Sequence, residues 1–247
     1  MGKEKMRINS ISHLLYPPRC PICDGILGSS EGLVHEACRK KLIYVEEPRC
    51  LRCGKPVYSP VQEYCLDCSR KMAAFERGAL FDGGYSVWVY TKDMADSIAR
   101  YKYHGKREYA KFYAGEAVRL GGSWIRARRP DCITAVPLNR KKMRIRGFNQ
   151  ALLVAALLGK QLDIPVDDSL LVRTRYTLPQ KALNPHERMK NLQKAFGPGA
   201  NASRYASVLL VDDIYTTGST MQICSMILKK CGVKKVWILS LCIGSDY

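Results

Sequence analysis

Eight residues between positions 20 and 68 constrain this chain more than any other feature of it. Cys20, Cys23, His35 and Cys38 form one set, and Cys50, Cys53, Cys65 and Cys68 form a second. Each member of the first set recurs thirty positions later in the second, with His35 standing where Cys65 stands. Zinc takes four borderline or soft ligands in a tetrahedron, and three thiolates with one imidazole satisfy it as four thiolates do. A CxxC pair on a tight turn supplies two ligands from one side. A second pair, about a hairpin away, supplies the other two. The spacing predicts two structural zinc ions, each with a full ligand shell and no open position for water or substrate. Disulfides and bystander thiols are the competing readings, and the repeat argues against both. Spacing alone leaves open whether the ions are held within each unit or across the two. A region of about 50 residues with few large apolar side chains needs such staples to fold. The remaining four cysteines, Cys132, Cys224, Cys231 and Cys242, are scattered.

The metal changes the charge arithmetic. Forty Lys and Arg against 22 Asp and Glu give a formal +18. Seven thiolates and two Zn2+ bring this to about +15. Most of the excess follows residue 80: residues 1–80 carry 13 basic and 9 acidic groups, residues 81–247 carry 27 and 13. Such a field draws phosphate-rich partners. The longest purely apolar run, Ala151 to Leu158, is far short of the ~20 residues that cross a bilayer. Met1 to Arg7 has no apolar segment of a secretory leader, and Met6 stands where a myristoylation signal needs Ser or Thr. The expectation is a cytoplasmic protein without membrane insertion, in which clustered cysteines serve as metal ligands.

From residue 81 the pattern changes. Ile133–Leu138, Ser207–Val211 and Val236–Cys242 read as buried strands, while Asn149–Leu162 and Ser219–Lys230 read as helices, the second ending near Gly232. Alternating strands and helices with short connections predict a parallel α/β sheet. The expected division is a metal-binding unit over residues 1–76 and an α/β domain over 77–247.

The most informative stretch runs from Val208 to Thr220: four apolar residues, the acids Asp212 and Asp213, then Ile214, Tyr215, Thr216, Thr217, Gly218, Ser219 and Thr220. Ligands of parallel sheets bind at the carboxyl ends of strands. A turn of small hydroxylated residues opening a helix offers N–H groups and hydroxyls to a phosphate. Gly218 lets the backbone approach closely. Two carboxylates beside that cradle suit ribose hydroxyls. Upstream, Arg140, Lys141, Lys142, Arg144 and Arg146 are five cations within seven residues. Arginine forks match phosphate oxygens, although a solvated face or a nucleic-acid patch has the same composition. Tyr101 to Arg107 alternates aromatic and basic residues. That pattern suits stacked bases, or else a helix face that packs its tyrosines.

Residues 208–220 resemble the phosphoribosyl pyrophosphate motif of type I phosphoribosyltransferases. Val136-Pro-Leu-Asn-Arg140, Arg146-Gly-Phe-Asn-Gln150, Gln180, Arg188, Asn191 and Ala195-Phe196 are similar to the competence protein ComF family, as is the repeated cysteine unit. The resemblance covers almost the whole chain. It departs at His35, where family members usually carry Cys. It implies a type I phosphoribosyltransferase-like parallel sheet with flanking helices, preceded by a double zinc ribbon. It implies Asp212 and Asp213 on the ribose, Thr216–Thr220 around the 5′-phosphate, and the loop after Leu138, with Arg140, Arg146 and Gly147, near the pyrophosphate. Residues 173–198 would include a closing loop carrying Gln180 and Arg188, and Lys102 is a further phosphate candidate. Mg2+ would accompany phosphoribosyl pyrophosphate. Two functions follow from this resemblance: a phosphoribosyltransferase associated with DNA uptake, or a scaffold for single-stranded DNA or a competence helicase that keeps its sugar-phosphate site.

Overall fold

The computed structural model describes residues 16–28, 32–74, 81–174 and 194–244 of the 247. In the amino-terminal part, the sequence repeat is a repeat of hydrogen bonds. Cys20 N–H donates to Gly25 O (2.8 Å), Asp24 N–H to Cys20 O (2.8 Å) and Leu27 N–H to Pro18 O (2.9 Å). Thirty residues on, Cys50 N–H donates to Lys55 O (2.7 Å), Gly54 N–H to Cys50 O (2.9 Å) and Val57 N–H to Pro48 O (3.0 Å). Both turns need a left-handed residue, supplied by Asp24 (φ 59°) and Gly54 (φ 74°). The second ligand pair of each unit sits at the start of a helix, α1 (Glu36–Arg39) or α2 (Leu66–Ala74).

The carboxyl-terminal part contains β1 (Gly83–Val89), α3 (Lys92–Tyr103), α4 (Tyr109–Arg128), β2 (Cys132–Ala135), α5 (Arg140–Arg146) and α6 (Gln150–Leu162). There follow β3 (Leu171–Arg173), β4 (Phe196–Pro198), β5 (Ser207–Tyr215), α7 (Ser219–Lys230) and β6 (Lys235–Ile243). Four strands form a parallel sheet in the order β1-β6-β5-β2, and β3 and β4 form a separate antiparallel pair. This is the α/β class that the alternating pattern predicts.

Strand geometry decides what each face meets, because successive side chains point to opposite sides. Leu209 and Val211 of β5 and Leu239 and Leu241 of β6 pack with α4, α6 and the first cysteine unit, through Ile22, Leu27 and Cys38. Val208 and Leu210, with Val236 and Ile238, pack with α7 and with all four cysteines of the second unit. The two units therefore straddle the sheet, one on each face. The segment joining them runs along the outer edge of β1. Val45 N–H donates to Val87 O and Val89 N–H to Ile43 O, both at 2.9 Å, with Tyr44 bridged antiparallel to Trp88. An exposed strand edge invites pairing with another chain, and here the linker covers it. The Cys53-Gly54 turn lies directly on β1: a Cβ on Gly54 would meet Gly84 O at 2.8 Å. The first unit is tied down by Glu116 of α4, which accepts from Arg39 (2.6 Å) and from the Tyr44 hydroxyl (2.8 Å).

Three elements differ from the sequence expectation. The strand expected over 133–138 ends at Ala135, since Pro137 has no N–H to donate. Strand β5 continues four residues past Val211, because β6 pairs with it as far as Tyr215 opposite Ile243. The basic run after Leu138 is not a loop but α5. Asn139 accepts from Lys142 N–H at 2.8 Å to cap its start, and Gly147 (φ 73°) ends it.

Candidate functional site

The site arises where two neighbouring strands part. The last β2–β5 pair is Ala135 with Val211. Past that point β2 turns away into α5, and among the described residues no strand pairs with the β2-side edge of β5 at Asp212 and Asp213, while its other edge stays paired with β6. A cleft of about 160 Å³ opens there, lined by both acids, Thr220 and four cations: Lys102, Lys142, Arg146 and Arg173. A crevice outside the carboxyl ends of parallel strands is the ordinary ligand position in such sheets. Its surplus of positive charge suits a polyanion.

The two acids occupy unlike environments. As neighbours on a strand they lean to opposite faces. Asp213 meets α3, where Lys102 Nζ lies 2.9 Å from both carboxylate oxygens. Asp212 leans toward Arg173 and accepts Asp213 N–H through Oδ1 at 2.9 Å. Burial, and then the charge of Asp213, push its carboxyl up to about 7. Arg146 is held rather than free. It donates to Gln150 Oε1 and to the Tyr103 hydroxyl, both at 2.9 Å, and lies 4.8 Å from the Tyr103 ring centre. Arg173 stacks 4.7 Å from the Phe196 ring centre, and its Nε has no partner among the described residues.

The turn from Tyr215 to Ser219 demands glycine at 218. Its φ is 70°, and a Cβ there would lie 2.1 Å from the Tyr215 hydroxyl. Side-chain caps satisfy the starts of α3, α5 and α6, from Thr91, Asn139 and Asn149. Helix α7, like α1 and α4, has no side-chain cap among the described residues, and of these three it is the one whose start adjoins the cleft, through Thr220. The Thr217 and Ser219 hydroxyls lie 2.9 Å apart beside them.

Of the residues singled out from sequence, Asp212, Asp213, Thr220, Lys102 and Arg146 line the cleft. Thr216 and Thr217 are exposed on the turn, Gly218 is buried and Ser219 half-buried. Gly147 closes α5, and its carbonyl accepts from Arg107 (2.8 Å). Arg140 is exposed on the first turn of α5 and is not among the cleft-lining residues. Gln180 and Arg188 lie outside the described residues. Arg173 was missed, although it ends an apolar Leu170-Leu171-Val172 run that leads into a long polar stretch. Tyr101 is buried, donating to Gln150 O (2.9 Å), whereas Tyr103 is 60% exposed.

Each cysteine unit closes on itself. The ligand atoms of Cys20, Cys23, His35 and Cys38 lie within 4.8 Å of one another, as do those of Cys50, Cys53, Cys65 and Cys68. Sulfurs around a tetrahedral zinc stand ~3.8 Å apart, and Cys53 Sγ and Cys65 Sγ are at 3.7 Å. His35 Nδ1 lies 3.2 Å from Cys23 Sγ, and Nε2 lies 3.0 Å from Ile26 O. A Nε2–H donated to that carbonyl leaves Nδ1 for metal. Both sets fit structural Zn2+.

Comparison with known proteins agrees with this architecture. A double zinc ribbon domain matches residues 11–69, and a phosphoribosyl transferase domain matches residues 149–246. The chain is 28% identical over 229 residues to competence protein F of Haemophilus influenzae, covering 90% of this chain and 96% of that one. It is 26% identical over 199 residues to competence protein ComFC of Bacillus subtilis, covering 79% and 78%. It is 29% identical over 235 residues to the DNA utilization protein YhgH of Salmonella typhimurium, covering 93% and 98%. No helix among the described residues is long and apolar enough to cross a membrane. The chain thus carries a double zinc ribbon domain ahead of a phosphoribosyl transferase domain, and over most of its length it is similar to competence proteins and DNA utilization proteins.

Proposed function

We propose that the cleft binds phosphoribosyl pyrophosphate and that the protein handles a phosphoribosyl group in the service of DNA uptake. The observation that carries this reading is the juxtaposition at the end of β5. Two carboxylates, an uncapped helix start behind a glycine turn and four cations surround one small cleft. Each part matches a part of the ligand: hydroxyls, 5′-phosphate and pyrophosphate. The names of the relatives, competence protein and DNA utilization protein, supply the process.

The chain's own residues divide the work. The α7 amides and the hydroxyls of Thr216 to Thr220 hold the 5′-phosphate. Asp212 and Asp213 accept from the ribose hydroxyls, and their charge favours a ring carbon turning cationic as the bond to pyrophosphate breaks. Lys102, Lys142, Arg146 and Arg173 face the departing negative charge. Carboxylates beside bound phosphates also suit Mg2+, which would neutralise pyrophosphate as a Lewis acid. Lys102 must share itself between Asp213 and the ligand, so phosphate binding loosens that pair. Pyrophosphate release on screening amine and ring-nitrogen acceptors tests turnover, and a variant with Asp212→Asn and Asp213→Asn must abolish any signal.

A second reading is a scaffold for single-stranded DNA, with or without a helicase partner. What favours it is charge beyond the needs of one sugar phosphate: 40 basic against 22 acidic residues. The slope of log affinity against log salt counts phosphate contacts. A flat slope removes this reading.

A further inference from the structure

We propose that the second cysteine unit is a working part of the phosphate loop: metal held by Cys50, Cys53, Cys65 and Cys68 and phosphate held at Thr216–Thr220 stabilise each other through Lys71 and Tyr215, while the first unit is not coupled in this way. The inference rests on reading residues 216–220 as a phosphate site.

The connection is short and physical. Helix α2 begins at the ligand pair Cys65 and Cys68, and Lys71 lies one turn further on. Its ammonium donates to the Thr217 carbonyl, 146 residues away in sequence. It also sits 5.7 Å from the centre of the Tyr215 ring. Tyr215 is 1% exposed and packs in one apolar cluster with the four cysteines of this unit. Phe81 meets its ring edge-on, with centroids 6.4 Å apart. Its hydroxyl lies under Gly218 and has no hydrogen-bond partner among the described residues.

Peptide geometry converts this contact into function. In a trans peptide the C=O and the following N–H point in opposite directions. When Lys71 holds the Thr217 carbonyl, the Gly218 N–H is aimed away from α2, toward the open side of the turn. Lys71 is thus a positioning residue, since it orients a donor without touching the ligand. The first unit packs on the opposite face of the sheet, against α4 and its neighbours, and makes no comparable contact with the loop among the described residues. Loss of metal from the second unit would free α2, and with it Lys71. Coupling between sites is reciprocal, so ligand in the loop must retain that metal.

The test uses the full chain loaded with Co2+, whose four-sulfur and three-sulfur–one-nitrogen sites have distinguishable absorption bands. Ribose 5-phosphate binding is measured by calorimetry, and metal loss to a chelator is followed with and without the sugar phosphate. The expected result is that ribose 5-phosphate slows metal loss from the four-sulfur site about tenfold, a size ordinary for coupled sites, and leaves the other site unchanged. Lys71→Met, which keeps the side-chain stem over Tyr215, retains both ions but loses the protection and binds ribose 5-phosphate about tenfold more weakly. Binding without protection, or protection that survives Lys71→Met, overturns the coupling and leaves the phosphate site standing. No binding to the unaltered protein overturns the phosphate site and the coupling with it.

Discussion

Replacing Asp212 by Asn removes a carboxylate that the fold holds at a cost. In the folded protein its pKa is raised from 3.8 to about 7, by burial and by the adjacent Asp213 charge. The folded state therefore holds a proton that the unfolded chain has released throughout the interval between those values. Stability must fall as pH rises across that interval, and the penalty is complete once pH exceeds the folded value. Moving from 3.8 to about 7 corresponds to about 4 kcal/mol. Asn keeps an oxygen to accept Asp213 N–H, so the substitution lifts the penalty without orphaning the amide. Asp212→Asn should leave stability nearly unchanged at pH 4 and raise it by about 4 kcal/mol at pH 8. For a chain of this size that is roughly 8–16 °C in Tm. Thermal scans of both proteins from pH 4 to pH 8, with Zn2+ saturating, make the measurement. A difference independent of pH, or a variant less stable at pH 8, would refute the argument that Asp212 is a strained acid kept for ligand binding.

Other outcomes follow from single contacts. Gly218→Ala forces a side chain into a φ of 70° and into the Tyr215 hydroxyl; it should cost about 2 kcal/mol or more in denaturant unfolding and abolish ribose 5-phosphate binding in calorimetry. Glu116→Gln weakens the anchor of the first unit. Hydrogen bonds from Arg119, Arg39 and Tyr44 outweigh burial and keep that carboxyl below its ordinary range, so the ionised form is the stabilising one. The substitution should cost about 2 kcal/mol at pH 7 and less as pH falls through the folded pKa, as urea titrations at both pH values will show. Metal analysis should give two zinc ions per chain, and one per chain would mean that His35 does not complete its set.

The parts legible from sequence are those whose chemistry is local. Ligand spacing around a metal, a glycine turn before a helix and two acids after an apolar run are each fixed within a dozen residues. The positions of Cys65 and Gly218 therefore carried their meaning openly. Asn139 and Gly147 also announce the two ends of α5, but the density of cations between them reads equally well as a loop. What sequence hid are partnerships across the fold. Lys102 reaches Asp213 from 111 residues away, and Lys71 reaches Thr217 from 146. Nothing in either neighbourhood signals the other. The unequal surroundings of Asp212 and Asp213 were likewise invisible, because they arise from strand alternation at the point where β2 departs. The straddling of the sheet by the two cysteine units depends on residues 43–45 choosing the edge of β1, a pairing that no periodicity encodes.

The function proposed for this protein stands or falls on whether the end of β5 is a phosphoribosyl site. Calorimetry with phosphoribosyl pyrophosphate and Mg2+, on the unaltered protein and on the variant carrying Asp212→Asn with Asp213→Asn, tests it most directly. Each carboxylate should contribute at least one charged hydrogen bond to a ribose hydroxyl, so the double variant should bind on the order of 100-fold more weakly. Equal affinity in the two proteins would place the ligand elsewhere and contradict the account.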